Sequence, residues 1–376
     1  MIYLDSAATT LIKPVSVENA VVNALRTMSS PGRGGYESAV HAAETVFACR
    51  SEAAALFNVD DEEKVVFTFN ATHGLNIAIS SLVKDGSRVL VSGYEHNSVT
   101  RPLHAAKARI TVAGRKLFDR DAVLDDFRRH IPESDLVVCT YVSNVFGFIL
   151  PIYEIAEECA RSGVPLIVDA SQAAGILELD FARLHAAFAA MPGHKGLMGP
   201  QGTGILLCGE AGMPLLHGGS GSDSLLQLMP EYLPDRLEAG THNVCGIAGL
   251  CAGIKYVRAV GTHNITAKEK HLLDIAAREL SDDIYTELFT GAEGTQTGVL
   301  SIRSRVTDCE TMAEELYSRG ICVRSGLHCA PTAHESAGTL KTGTVRLSFS
   351  PFVTEEQVLA ACGEIKEINA GLAKKP

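Results

Sequence analysis

The sequence predicts an α/β protein with a larger domain built on a mainly parallel sheet and a smaller α+β domain. The chain has 376 residues, more than one ordinary small domain usually holds. Short apolar runs alternate with helical patterns over the first two thirds of the chain, which is typical of a parallel sheet covered by helices. After about residue 240 helical patterns dominate. We therefore expect a larger domain over residues 15–240 and a smaller one made of residues 1–14 and 241–376.

The predicted strands of the larger domain are continuous apolar runs, as expected where helices cover both faces of a sheet. They are residues 64–69, 88–92, 136–141, 165–169 and 203–208. Helical patterns between them include residues 74–82 and 151–162. In the smaller domain we expect strands near residues 299–302, 321–323 and 344–349. Two capping boxes predict the starts of helices, Thr307 with Glu310 and Thr354 with Gln357.

The composition is that of a globular protein and argues against several classes of function. With 33 Lys and Arg against 44 Asp and Glu, the net charge is −11, so nucleic acid is not expected as a partner. No apolar run approaches the roughly 18 to 20 residues that span a bilayer, and the N-terminus lacks a signal-peptide pattern. The ten cysteines form no Cys-x-x-Cys pair. We expect a cytoplasmic protein with reduced thiols, no membrane contact and no metal site.

A lysine in a glycine-rich segment is the first candidate catalytic residue. Lys195 follows Pro-Gly-His and precedes further glycines, which let a backbone approach a ligand closely. A lysine buried beside a cofactor loses its charge easily and can form a Schiff base. On spacing alone, a surface lysine in a glycine-rich turn is the alternative.

Polar residues also follow four of the predicted strands: Thr72, His96, Asn144 and Asp169. The carboxyl ends of parallel strands form the edge at which open α/β sheets bind ligands. The turn that contains Thr72 leads into a helix and is typical of an anion site, whereas Asp169 could pair with the ring nitrogen of pyridoxal phosphate (PLP). His96 could stack on such a ring and move protons. Taken singly, Asp169 could be a helix cap and His96 a loop residue. Together with Lys195 they predict one site.

The sequence resembles, nearly end to end, fold-type I PLP enzymes of the class V aminotransferase group, and within it the cysteine desulfurases and selenocysteine lyases. The motifs that carry the resemblance are Tyr-Leu-Asp-Ser-Ala-Ala-Thr-Thr at residues 3–10, Asp169 with Gln172, Gly-His-Lys at Lys195, and Glu-Ala-Gly-Thr-His-Asn at residues 238–243. The resemblance implies a seven-stranded, mainly parallel sheet in the larger domain and PLP as the cofactor.

The resemblance also implies roles for individual residues. Lys195 would bind the cofactor covalently, and Thr241 would reach the phosphate in the partner subunit of a homodimer. The other cofactor contacts would be Ala71, Thr72, His96, Asn144, Asp169, Gln172 and His194, of which His96 would also be catalytic. Substrate contacts would come from Arg33, Asn144 and Arg346, the last binding the substrate carboxylate. Pro192 departs from the family, in which a Ser or Thr usually bonds the phosphate.

Residues 323–331, Val-Arg-Ser-Gly-Leu-His-Cys-Ala-Pro, are similar to the active-cysteine loop of the second desulfurase group. This similarity implies that Cys329 is the nucleophile on which a persulfide forms. Its neighbours His328 and Arg324 are expected to favour the thiolate by their positive charge. A structural role for Cys329 and a surface ion pair for Arg346 are the alternatives.

The leading hypothesis is a cysteine desulfurase-like enzyme that converts L-cysteine to L-alanine and forms a persulfide on Cys329. A sulfur-acceptor protein would then be a partner, besides the amino-acid substrate. A selenocysteine lyase, another C–S lyase or an aminotransferase on the same scaffold are the enzymatic alternatives. The non-enzymatic alternative is a catalytically silent scaffold paralogue.

Overall fold

A seven-stranded sheet forms the centre of the larger domain in the computed structural model, which describes residues 1–32 and 34–374. In chain order the strands of the protein are β1 (Ile2–Tyr3), β2 (Val65–Thr68), β3 (Arg88–Ser92), β4 (Arg109–Ala113), β5 (Leu136–Thr140), β6 (Leu166–Asp169), β7 (Phe188–Pro192), β8 (Gly204–Cys208), β9 (Thr286–Phe289), β10 (Val299–Ser304), β11 (Ile321–Cys322), β12 (Arg324–Gly326) and β13 (Thr344–Ser348).

Helices cover the sheet and connect its strands, as expected for parallel neighbours. In chain order the α-helices of both units are α1 (Val15–Thr27), α2 (Glu37–Phe57), α3 (Ala71–Leu82), α4 (Asn97–Ala105), α5 (Arg120–His130), α6 (Ile152–Ser162), α7 (Phe181–Leu184), α8 (Val244–Val260), α9 (Thr262–Leu280), α10 (Cys309–Ser318), α11 (Pro331–Ser336) and α12 (Glu355–Ala373).

The strand order of the sheet is β2-β8-β7-β6-β5-β3-β4. Parallel pairing joins β4, β3, β5, β6 and β7 in that order, whereas β8 runs antiparallel to both of its neighbours, β7 and β2. The predicted α/β class with a mainly parallel seven-stranded sheet is therefore confirmed. Every strand predicted for the larger domain is present within one residue of its predicted ends. Because β8 alone is reversed relative to its neighbours, β2, β3, β5, β6 and β7 all end at the same edge.

Two strands of this sheet were not predicted. β7 reads Phe-Ala-Ala-Met-Pro, and alanine and proline both disfavour strands. Its five residues are nevertheless buried, so its position between β6 and β8 decides its conformation. β4 lies at the edge of the sheet and alternates exposed with half-buried residues, so it lacks the continuous apolar run that identified the others.

The second unit is a four-stranded antiparallel sheet of order β12-β13-β10-β9, with α9 and α10 packed against it and α12 packed on these two helices. The N-terminal segment joins this unit, because β1 pairs with β11 and Leu4 is buried in its core. Helix α8 packs on α1 and α2 and shares the core of the larger sheet. The predicted boundary at residue 240 thus falls just before a helix that packs on the larger domain, and the exact division stays a prediction.

Of the two predicted capping boxes, one is present and the other is not. Thr354 and Gln357 form the expected capping box at the start of α12. The box predicted at Thr307 and Glu310 is wrong, because Asp308 caps α10 by accepting the backbone N–H of Thr311 at 2.8 Å. A carboxylate one residue further along supplies the stronger acceptor.

Among the described residues, no single helix is long and apolar enough to cross a membrane. Helices α8 and α9 meet that criterion only as a pair bent by 81°.

Candidate active site

The common edge of the sheet opens into a cavity of about 230 Å³ at the junction of the two units. Strands β2, β3, β5, β6 and β7 all end beside it. The predicted site residues that line it are Ala71, Thr72, His96, Asn144, Asp169, Gln172, His194, Lys195, Cys329 and Arg346. The structure therefore brings together ten of the predicted site residues, from segments that are far apart in the chain. Their individual roles stay predictions.

Lys195 reaches the cavity from the tight turn that follows β7. The turn is closed by the backbone N–H of Gly199, which donates to the carbonyl of Gly193 at 2.7 Å. Glycine is required at Gly196, because a Cβ there would lie 2.4 Å from the carbonyl oxygen of Ala174. Burial lowers the pKa of Lys195 to about 8, and the charge of Asp169 opposes this shift. A substantial fraction of the amine is consequently neutral near pH 8.

Asp169 is the last residue of β6 and is buried. One carboxyl oxygen, Oδ1, accepts the backbone N–H of Ser171 at 2.9 Å, which fixes the orientation of the side chain. The carboxyl group lines the same cavity as Lys195 and influences its pKa. Asp169 thus places a carboxyl group of fixed orientation in the cavity, as predicted from its position at the end of a parallel strand.

His194 presents a buried nitrogen without a protein partner. Its backbone carbonyl accepts the N–H of Thr10 at 3.1 Å, which holds the N-terminal segment against the turn. Its Nδ1 is buried and has no hydrogen-bond partner among the described residues. Burial lowers the pKa of His194 to about 4, so the ring is neutral at physiological pH. Since buried polar atoms are normally satisfied, this nitrogen is available for a ligand.

Gln172 also helps to hold the N-terminal segment in place. Its Nε2 donates to the carbonyl of Ala7 at 3.0 Å. Residues 3–10, which the sequence singled out only as an opening motif, therefore contribute Ala7 and Ala8 to the cavity wall.

Helix α3 begins at Ala71, three residues before the predicted start, and this shift places Thr72 in its first turn. Asn70 caps the helix through Oδ1, which accepts the N–H of His73 at 2.9 Å. Among the described residues, the N–H groups of Ala71 and Thr72 have no protein acceptor. Unpaired N–H groups at a helix N-terminus are a ready site for an anion.

His96 is the N-cap of α4 and is not an ordinary loop residue. Its Nδ1 accepts the backbone N–H of Ser98 at 3.0 Å. An accepting Nδ1 requires the proton of the neutral ring to lie on Nε2. Burial lowers the pKa of His96, with Asp169 acting in the opposite sense. The ring is therefore neutral and held at the cavity wall.

Cys329 is exposed and lies on a short loop between β12 and α11. His328 and Cys329 both adopt left-handed backbone conformations, with φ of 49° and 58°. Two contacts with the larger domain hold this loop: the N–H of Asn97 donates to the carbonyl of Cys329 at 2.7 Å, and Nδ2 of Asn144 donates to that of His328 at 2.8 Å. Left-handed residues other than glycine are uncommon, and they occur often at functional sites.

The expectation that His328 favours the thiolate through its charge is wrong. Its side chain is buried against β13, with Nε2 3.2 Å from Oγ1 of Thr344. Burial lowers the pKa of His328 to about 2, so it carries no charge at physiological pH. Arg324 is the cation at this site, with Nη2 at 3.8 Å from Sγ of Cys329.

Arg346 is 1% exposed and joins the two units at the cavity. Its Nη1 donates to the carbonyl of Asn144 at 2.9 Å, and its Nη2 donates to Oδ1 of Asp5 at 2.6 Å. Its Nε is buried and has no partner among the described residues. Arg346 is thus a buried, charge-paired group and not part of a surface ion pair.

Sequence reasoning missed Asp5 and Ser98 as parts of the site, and it mentioned Arg324 only as a neighbour of Cys329. Asp5 lies in the opening motif of residues 3–10, and this was the only sequence signal that could have indicated its part in the site. Arg324 and Ser98 line the cavity because β12 and α4 bring them there. The available signals were the place of Arg324 in the motif of residues 323–331 and the closeness of Ser98 to His96 in the sequence.

One predicted residue lies away from the cavity, and another is not described by the structure. Thr241 is exposed in a separate pocket near Phe69 and His242. Its segment is fixed by Glu238, which forms a buried ion pair with Arg50 and accepts the N–H of Phe67 at 2.6 Å. Arg33 lies outside the described residues. Within the described ranges there is no cluster of three or more His, Cys, Asp or Glu suited to a metal ion.

The pKa of Lys195 can be tested without any cofactor. In the protein freed of cofactor, reaction of its amine with fluorodinitrobenzene should rise with pH, with the midpoint of the rise near pH 8. Asp169→Asn removes the charge that raises the pKa of Lys195, so the midpoint should move to lower pH. Peptide mapping by mass spectrometry measures the rate, with exposed Lys107 as an internal reference that the substitution leaves unchanged. An upward or absent shift in the Asp169→Asn protein would contradict the proposed coupling.

Comparison with known proteins agrees with the geometry. Residues 2–360 match the family Aminotransferase class-V. A probable cysteine desulfurase from Methanothermobacter thermautotrophicus is 32% identical, with 99% of this chain and 95% of the relative covered. A cysteine desulfurase from Cronobacter sakazakii is 31% identical over 95% of this chain and 90% of its own. The apo structure of a cysteine desulfurase from Thermococcus onnurineus NA1 has a TM-score of 0.90 at 29% identity and covers 99% of this chain and 95% of that one.

The residues at the cavity fit PLP, the cofactor of this family. The amine of Lys195 can bind the aldehyde, and the buried Asp169 can pair with the ring nitrogen. The unpaired Nδ1 of His194 and the N–H groups at the start of α3 can take the phosphate. The chain belongs to the aminotransferase class-V family and is a PLP-dependent enzyme.

Proposed function

We propose that this protein is a cysteine desulfurase, which converts L-cysteine to L-alanine and leaves the sulfur as a persulfide on Cys329. The observation that carries the proposal is that the exposed thiol of Cys329 lines the same cavity as Lys195 and Asp169. An aminotransferase or a plain C–S lyase would use the last two residues but would have no use for a thiol there. The names of the similar proteins support the same activity.

The cofactor would be held by the groups described above, with His96 beside the ring and Asn144 near its hydroxyl. When bound, PLP withdraws electrons from the substrate carbon that carries the amine. The protein's contribution is to hold that carbon and the substrate sulfur in fixed positions relative to Lys195 and Cys329.

Arg346 is the proposed partner of the substrate carboxylate. Of the N–H groups on its side chain, one is used by the carbonyl of Asn144 and one by Asp5. Its Nε and the remaining N–H groups are free for a ligand, and a guanidinium can bind a carboxylate bidentately. Asp5 fixes the orientation of the guanidinium, so the substrate meets an arginine that is already positioned. Arg33 and Asn144 stay predicted substrate contacts.

Lys195 is the proposed proton carrier. Its pKa of about 8 allows the amine both to take the proton from the substrate α-carbon and to give one back near neutral pH. Burial is the main cause of this lowered pKa. The buried position of Lys195 therefore suits its amine to proton transfer.

Cys329 is the proposed sulfur acceptor. Its thiolate attacks the substrate sulfur, an S–S bond forms, and the bond between that sulfur and the substrate Cβ breaks. The electron pair of the broken bond stays on the carbon, which is then protonated to give L-alanine. The sum is L-cysteine plus the Cys329 thiol giving L-alanine plus the Cys329 persulfide. Arg324 lies where its charge can stabilise the thiolate.

The exposure of Cys329 suits delivery of the sulfur to an external thiol, and a sulfur-acceptor protein is the proposed partner. Selenocysteine could follow the same route, because its selenium occupies the position of the sulfur. The cytoplasmic location expected from the sequence stays a prediction.

We further propose that the active unit is a homodimer. Thr241 lies outside the cavity of its own chain, so a role at the phosphate requires a second chain. Helices α1 and α2 carry large apolar side chains that are exposed in the single chain, at Val15, Val22, Leu25, Val40 and Phe47. Their spacing places them on one face of each helix, and exposed apolar faces are typical of protein contacts.

The shared-site arrangement predicts complementation between two inactive variants. Lys195→Ala removes the amine, and Thr241→Asp sets a negative charge against the phosphate. After mixing and subunit exchange, a mixed dimer contains one site with both native residues, so activity should rise above that of either variant. The assay is alanine release from cysteine, with light scattering to confirm dimers. No gain in mixed dimers would place Thr241 outside the partner's site.

Replacement of Cys329 separates desulfuration from other chemistry on this scaffold. Cys329→Ala should keep bound PLP and its visible absorbance, and cysteine should still perturb that absorbance. Release of alanine and sulfide should fall at least about a thousandfold, a size typical of losing a catalytic nucleophile. Selenocysteine should be affected less, because its selenol is a better leaving group.

Cys322→Ala is the matched control, since Cys322 is half-buried in β11 and does not line the cavity. It should retain the parent rate. If Cys329→Ala desulfurated cysteine at the parent rate at all substrate concentrations, the thiol would be structural, and a C–S lyase or an aminotransferase would be the better assignment.

A further inference from the structure

Two hydroxyl groups meet at the edge of the cavity where helices α3 and α4 begin. Oγ1 of Thr72, in the first turn of α3, lies 2.8 Å from Oγ of Ser98, in the first turn of α4. Both residues line the cavity that contains Lys195, and Ala71 with its unpaired N–H lies beside them. The two hydroxyl groups therefore lie beside the N-terminus of α3, which favours the binding of an anion.

Pro192 offers no donor at the neighbouring strand end. It is the last residue of β7 and lines the same cavity. Proline has neither a side-chain hydroxyl nor a backbone N–H, so it cannot hydrogen-bond an anionic oxygen. A phosphate has several acceptor oxygens, and in this chain the remaining donors must come from other elements. Ser98 on α4 is placed to supply one.

A count of hydrogens indicates that the Thr72–Ser98 pair has one hydroxyl hydrogen to give to a ligand. The backbone N–H of Ser98 already donates to Nδ1 of His96 at 3.0 Å, which occupies the lone pair of that nitrogen. The Ser98 hydroxyl, 2.9 Å from the same nitrogen, is therefore not needed to satisfy it. Thr72 and Ser98 carry one hydroxyl hydrogen each, and one hydrogen is enough for the contact between them. The other is free for a ligand oxygen.

We propose that Ser98 is a further phosphate-positioning residue, which acts with Thr72 to bind the phosphate of PLP and supplies a donor that Pro192 lacks. This inference rests on the binding of PLP at Lys195. It adds a contact from α4, the helix that His96 caps, so the phosphate and the His96 ring are held by the same turn.

The test compares two ligands that differ only in the phosphate. The full-length protein, freed of cofactor, is titrated with PLP and with pyridoxal, and the absorbance change gives both dissociation constants. Ser98→Ala should weaken PLP binding about tenfold or more, the size of one hydrogen bond to a charged group, and leave pyridoxal binding unchanged. The substitution keeps the backbone N–H of residue 98, which donates to Nδ1 of His96, so the His96 ring stays in place. Ser98→Thr should remain within about twofold of the parent, because it restores the hydroxyl.

Thr100→Ala is the control on the same helix, because it removes a hydroxyl that does not line the cavity. It should bind both ligands as the parent does. The proposal is overturned if Ser98→Ala keeps the parent affinity for PLP, or if it weakens PLP and pyridoxal equally, which would indicate a structural effect. If the parent protein itself bound no PLP, the cofactor assignment would fail, an outcome distinct from both of these.

Discussion

The guanidinium of Arg346 ties together three segments that are far apart in the sequence. It comes from β13 of the smaller sheet, binds Asp5 of the N-terminal segment, and binds the carbonyl of Asn144 at the edge of the larger sheet. Asn144 in turn holds the carbonyl of His328, next to Cys329. A buried arginine is costly without a partner, so each contact depends on the others. Through this network the thiol on one unit and the lysine on the other reach the same cavity.

Burial and charge divide the site into two parts. Around Lys195 the dominant effect is burial, which lowers the pKa of the lysine and keeps His194 and His96 neutral. Around Cys329 the thiol is exposed and a cation, Arg324, lies beside it. In the proposed reaction, proton transfer at carbon would take place in the enclosed part, and the sulfur would be received at the rim, where an external acceptor can reach it.

Local patterns in the sequence predicted five strands of the larger sheet and the strand-end residues Thr72, His96, Asn144 and Asp169. The family resemblance supplied the other cavity residues, such as Cys329 and Arg346. Apolar runs identify strands, and the residues just after parallel strands must share an edge. The sequence did not predict features that depend on contacts between residues distant in the chain. Alanine-rich β7 is a strand only because its neighbours make it one, and His328 is neutral only because β13 buries it. The pairing of Asp5 with Arg346 spans most of the chain, so no local pattern could indicate it.

The transfer of sulfur from cysteine to Cys329 is measured most directly by the mass of the Cys329 peptide after a short incubation with cysteine. The protein is alkylated under non-reducing conditions, digested and mapped. We expect one added sulfur atom on the Cys329 peptide, in proportion to the alanine formed in the first turnover, and none on peptides of the buried cysteines. Alanine formed without sulfur on Cys329, or with sulfur on another cysteine, would contradict the account.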